Sequence, residues 1–175
     1  TPLGMGGIGV VRVSGPEAPQ VAQQVVKVSR PGGVEEMPGY TCAYGRAVDE
    51  EGHIDEVVLT VFRAPRSYTG EDVAEIACHG GPYLLERVLR ACCAKGARLA
   101  GGGEFTKRAF LNGKLDLTQA EAVMDLISAQ GRQSARAALT ARDGALSRQI
   151  DQVADSLIQQ AGHLAAWIDY PEEEI

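Results

Sequence analysis

Over the first hundred positions the apolar residues fall in short β-branched runs and amphipathic stretches, each closed by glycine or proline. Ile8 to Val13 (IGVVRV) follows a glycine-rich entry and reads as a strand. Ser14-Gly15-Pro16 marks a turn with Pro16 at a first helical position, and Val21, Val25 and Val28 share one face of a helix running to about Val28. Ser29 to Gly39 holds two prolines and three glycines and reads as a loop. Tyr40–Val48 and Ile54–Phe62 flank Asp49-Glu50-Glu51-Gly52-His53, the pattern of a hairpin with a longer turn. After a loop from Arg63 to Asp72, Val73–Cys78 is the next strand. His79-Gly80-Gly81-Pro82 then turns into a helix whose stripe is Leu84, Leu85, Val88 and Leu89. Gly96 ends that helix and Ala97–Ala100 reads as a short strand. The order β-α-β-β-β-α-β predicts an α+β fold, a mixed or antiparallel sheet covered by two helices.

Near Lys114 the pattern changes period. Thr118 and Glu121 have capping-box spacing, and Ala120, Val123, Met124 and Ile127 then recur at helical intervals. After Gly144, steps of three and four connect Leu146, Ile150, Val153, Leu157, Ala161, Leu164 and Ile168 in a narrow apolar seam, as in a helix bundle. Ser147 to Asp169 would span roughly 35 Å at 1.5 Å per residue. Two such helices cannot bury their seams on each other and also cover the α+β unit, so further helix is expected, from downstream sequence or a partner. Pro171 is expected to break or kink the second helix. The pattern divides the chain into a domain over 1–115 and the first part of a helical domain over 116–175. The chain starts on Thr1 rather than Met, and residues are expected on both sides of it.

Composition narrows the class. The 175 residues are 45% hydrophobic and 23% charged, normal for a globular protein, and only 5% aromatic, so Val, Leu, Ile and Ala must build the core. A net charge of −6 argues against a domain that grips nucleic acid unaided, because phosphate neutralisation dominates such binding. The densest basic stretch sets Arg98, Lys107, Arg108 and Lys114 against Glu104 alone and reads as a solvated face. Cys42, Cys78, Cys92 and Cys93 make no C-x-x-C pair, so reduced, mostly buried thiols in a cytoplasmic protein are expected. No signal peptide and no long apolar run is present.

Two charges stand where strand logic wants apolar residues. Arg12 lies within Val-Val-Arg-Val, and Glu75 within Val-Ala-Glu-Ile-Ala. A charge inside a short apolar strand costs several kcal/mol unless paired or liganded. Either the two pair with each other or sit on an edge, or they face a pocket. In a pocket, a carboxylate suits a flat heterocycle with adjacent N–H donors, such as a pterin, and an arginine suits carboxylates or a ring face. Glycine-rich segments at Gly4–Gly9 and Gly101–Gly103 are candidates for close backbone approach to a ligand, but the first precedes a strand and is no dinucleotide fingerprint. No G-x-x-x-x-G-K-[ST] occurs; Gly113-Lys114 is followed by Leu115, so GTP binding of the P-loop kind is not expected here. His79 reads as a turn residue capping the next helix, and His53 and His163 have no evident partner. A hydrolytic or metal-dependent enzyme is poorly supported, and no catalytic or metal residue is assigned.

Several stretches together resemble one family. They are Gly6-Gly7-Ile8-Gly9 with Val11-Arg12-Val13-Ser14-Gly15, Pro65 to Asp72 (PRSYTGED), Cys78-His79-Gly80-Gly81-Pro82, Gly103 to Leu117 (GEFTKRAFLNGKLDL) running into Gln119-Ala120-Glu121-Ala122, and Asp169-Tyr170-Pro171-Glu172-Glu173. In this order they resemble the MnmE (TrmE) family of tRNA-modification GTPases. Leu3 and Met5 stand where the family usually has Pro and Arg, and Gly102 where Pro is usual. The resemblance implies a folate-binding fold similar to that of aminomethyltransferases, which dimerises and binds 5-formyltetrahydrofolate or a related tetrahydrofolate. It also implies a helical domain interrupted by a GTPase domain that needs Mg²⁺ and K⁺ and lies outside this chain. With the flavoprotein MnmG (GidA), such proteins modify C5 of the wobble uridine in tRNA. The folate positions carried over are Arg12, Glu75 and Lys114, with Glu75 on the pterin edge, Arg12 on polar groups and Lys114 on a carboxylate or carbonyl. The competing expectations are an assembly module that dimerises and docks MnmG without folate, and a free-standing aminomethyltransferase-like enzyme.

Overall fold

The structure, a computed structural model, describes residues 4–169. They form strands β1 (Gly9–Ser14), β2 (Val26–Val28), β3 (Thr41–Asp49), β4 (Gly52–Phe62) and β5 (Val73–Cys78). The helices are α1 (Ala18–Val25), α2 (Pro82–Ala94), α3 (Glu104–Leu111), α4 (Leu117–Ser128), α5 (Arg132–Arg142) and α6 (Ala145–Asp169). The chain divides into two compact units, 1–114 and 115–175.

In the first unit the strands pair in the order β1-β5-β4-β3-β2, every neighbour antiparallel. Alternation along each strand sends one set of side chains to a core shared with α1 and α2. Val11, Val57, Leu59, Val61, Ala74 and Ile76 meet Val21, Ala22, Val25, Val88 and Cys92 there. Each such aliphatic side chain, taken wholly out of water, contributes about 1.5–3 kcal/mol. The other set makes an open face. Arg12, Glu75, Thr60 and Cys42 occupy one rung across four strands, and Val10, Ala77, Val58 and Tyr44 the next. Val10, Val58 and Tyr44 are exposed.

Two expectations for this unit are corrected, and one helix is added. The first helix stops at Val25, and Val26–Val28 is an edge strand paired with Gly45–Ala47. The β-branched run Val25-Val26 suits a strand as well as a helix face, and pairing decides between them. Ala97–Ala100 is not a strand. A helix, α3, follows the glycine run, where Gly103 turns the chain into it with φ +72°.

In the second unit, α4 is capped by Asp116 rather than by a Thr118–Glu121 box. The Asp116 carboxylate accepts from Gln119 N at 2.8 Å, and the Gln119 side chain accepts from Asp116 N at 2.9 Å. Thr118 and Ser147 instead join that carboxylate by their hydroxyls, which ties the first turn of α6 to the cap. Between the two expected helices stands a third, α5. Burial is slight: Ala122 in α4, Ala138 in α5 and no residue of α6. The expected effect of Pro171 falls outside the described residues.

Candidate ligand site on the open sheet face

Antiparallel pairing sets Arg12 of β1 opposite Glu75 of β5, so residues 63 positions apart become cross-strand neighbours. They pair: Arg12 Nε donates to Glu75 Oε1 at 2.7 Å, and Nη2 lies 2.6 Å from the same oxygen. Both groups retain access to water, the side chains being 42% and 25% exposed. Glu75 Oε2 takes no hydrogen bond among the described residues. A cavity of about 940 Å³ runs along the β1 edge beside Arg12, with Val10 and Phe105 on the Arg12 side and Val13 and Leu85 on the side of the core. That volume lies in the range of small-molecule pockets. Glu75 and Lys114 are not among its lining residues.

Helix α3 brings Phe105 to Arg12 at its start and leads into Lys114 after its end. At its start, the Phe105 ring lies beneath the Arg12 guanidinium, 5.6 Å from centroid to Cζ. Just past its end, Lys114 Nζ donates to the Pro65 carbonyl at 3.1 Å, in the loop between β4 and β5. The helix is fixed to that loop by further polar contacts. Asn112 Nδ2 donates to Thr69 O at 2.7 Å, Arg108 Nη1 lies 3.0 Å from both Glu71 oxygens, and the Tyr68 and Thr106 hydroxyls meet at 2.9 Å. Ser14 at the end of β1 joins the same network through Thr69 and Glu71. The basic stretch is therefore no free cationic face, since Arg98 and Arg108 are both bound to Glu104.

The structure also assembles a pair that sequence reasoning missed. His79 does not cap α2, whose N-cap is Gly81. Its imidazole Nδ1 donates to Asp55 at 2.8 Å, and its backbone N–H donates to the other carboxylate oxygen at 2.7 Å. Burial pushes the Asp55 carboxyl up, but the bonds from His79 and from Glu56 N–H outweigh it and hold the group below the usual range. Gly80 beside it admits no side chain, because a Cβ there would stand 2.5 Å from Gly6 O. Cys78 is buried and its thiol pushed up by that burial, which makes it a poor nucleophile. Among the described residues no group of three or more His, Cys, Asp or Glu could hold a metal ion. No helix among them is long and apolar enough to cross a membrane.

A family model described as "GTP-binding protein TrmE N-terminus" matches residues 1–114, and one described as "MnmE helical domain" matches residues 117–175. The chain belongs to the MnmE family. It is 49% identical over 177 residues to a tRNA modification GTPase MnmE of Thermus thermophilus, covering 100% of this chain and 40% of that protein. Proteins of the same name from Clostridioides difficile and Acetivibrio thermocellus are 46% and 43% identical, again over 100% of this chain and 38% of theirs. The chain thus spans about two-fifths of the length of these relatives. The two family models meet where the chain divides into its two units.

Proposed function

We propose that residues 1–114 are the tetrahydrofolate-binding and dimerising module of a GTP-dependent protein that modifies C5 of the wobble uridine in tRNA. The observation that carries this reading is the manner of the Arg12–Glu75 pairing. Both arginine nitrogens converge on one carboxylate oxygen, on a water-accessible face beside a cavity, and the second oxygen stays available. Glu75 Oε2 accepts an N–H from the pterin edge of a 5-formyltetrahydrofolate, and the free guanidinium edge of Arg12 meets the ligand's polar groups. Lys114 reaches a ligand carboxylate or carbonyl by releasing Pro65. Val10 and Phe105, the cavity residues on the Arg12 side, take the ring body. The exposed row Val10, Val58 and Tyr44 supplies the surface on which a second copy docks. GTP, Mg²⁺ and K⁺ belong to sequence that the longer relatives carry in addition, and MnmG and tRNA are partners of the whole protein.

Titration of 5-formyltetrahydrofolate into the purified chain, wild type against Glu75→Ala, tests the folate assignment. Micromolar binding by the wild type and its loss in the variant is expected. The pair is solvent-accessible, so its removal should change stability by no more than about 1 kcal/mol, and lost binding would not reflect unfolding. A second reading takes the same ion pair as purely structural and the module as an assembly surface for a second copy and MnmG. The closed Arg12–Glu75 contact is what favours it, and a folded dimer that binds no folate would decide for it.

A further inference from the structure

Within the folate site proposed above, on which this inference rests, we infer that Phe105 is a positioning residue: its ring fixes the Arg12 guanidinium so that Arg12 occupies one oxygen of Glu75 and leaves the other to the ligand. A guanidinium free to choose its approach to a carboxylate usually takes both oxygens by two parallel N–H bonds. Arg12 does not. Its Nε and Nη2 both bear on Oε1 while the guanidinium lies over the Phe105 ring. A ring face draws a cation by its negative quadrupole and sets the plane in which the guanidinium can lie, a constraint that an aliphatic side chain of similar size does not impose. Without the ring, Arg12 turns to span both oxygens of Glu75 and covers the acceptor intended for the heterocycle.

The position of Phe105 does not depend on Arg12. Helix α3 is held by Asn112 on Thr69, Arg108 on Glu71 and Thr106 on Tyr68, none of which involves the ring. Substitution of Phe105 therefore changes the surroundings of Arg12 while α3 stays in place. Phe105 also lines the cavity wall with Arg12, so the ring and the charge it holds face the same space.

Two measurements test this, one with ligand and one without. Calorimetric titration of 5-formyltetrahydrofolate would compare wild type, Phe105→Leu and Phe105→Tyr, with far-ultraviolet circular dichroism to show that each is folded. The leucine variant should bind about tenfold more weakly, from the usual strength of a partly desolvated cation–π contact, and the tyrosine variant within about threefold of wild type. Any other pattern overturns the inference, since loss in both variants would mean packing alone and loss in neither would mean no role. A crystal structure of ligand-free Phe105→Leu should show Arg12 spread over both Glu75 oxygens, and Arg12 still on one oxygen would overturn it equally. Should the wild type bind no folate, the ligand assignment falls, whereas the crystallographic arm still decides what the ring does to Arg12.

Discussion

Glu104 shows how much one side chain can organise at the start of α3. Its carboxylate accepts from Arg98, from Gly101 N at 2.9 Å and from Arg108 at 3.0–3.1 Å. These bonds, those from Arg98 foremost, push its pKa down from 4.5 to about 2. A depressed carboxyl contributes its stability in full above the unfolded value and loses it as pH falls through the folded one. The loop at 98–101 and the first turn of α3 should therefore loosen between about pH 4.5 and pH 2, the window set by that shift. Amide exchange over 101–108 would show protection falling through this range in the wild type. Glu104→Gln should already be less protected at pH 7 and change little across the window. At this scale the sequence was partly legible. Arg12 and Glu75 declared themselves as charges in apolar strands, and their identity needed no coordinates. That they share one rung did not follow, because register links residues 63 apart. The Asp55–His79 pair left no local signal for the same reason, and the role of Phe105 is a matter of where α3 docks.

Elements were legible where period and punctuation agreed. Strands β1, β3, β4 and β5 and helix α2 lie within a residue or two of their expected bounds, because alternation and flanking turn residues point the same way. The exceptions are physical. Val28 continues the helical face of Val21 and Val25, yet its backbone pairs with Gly45. Ala97–Ala100 has strand-like composition but finds no partner strand, and α3, at eight residues, is too short for its apolar positions to establish a helical period. The capping pattern places the start of α4 two residues late, since Asp116 and Gln119 make the same spacing as Thr118 and Glu121. Asp116 is the more consequential residue, since Ser147, Gln119 and Thr118 all donate to it and hold its carboxyl below the ordinary range. Asp116→Ala should destabilise the second unit by about 1–2 kcal/mol through loss of the cap. The check is a urea titration followed by circular dichroism, with Thr118→Ala as the comparison, which should cost less because the backbone N–H of Gln119 keeps its acceptor.

For the whole molecule the informative contrast is between the two units. The first closes a core of fully buried Val, Leu and Ile side chains, whereas α6 runs 25 residues without burying one. Leu146, Ile150, Val153, Leu157, Leu164 and Ile168 are 48–78% exposed along the seam that the sequence pattern marked out. A helix keeps such a stripe when something is meant to cover it, because isolated helices draw most of their stability from packing an amphipathic face. The relatives carry more than half of their length outside the matched region, and sequence of that kind is one candidate cover. Leu157→Glu separates the two states of the seam. In this chain the side chain is exposed, so the substitution should shift stability by no more than about 0.5 kcal/mol. In a full-length relative, a further helix that buries the matching position would make the same substitution cost several kcal/mol, by placing an unpaired charge in an apolar contact. Parallel urea titrations of this chain and of a full-length relative with the matching substitution, read by helical circular dichroism, would measure the difference; equal small shifts in the two would mean that no further segment covers the seam.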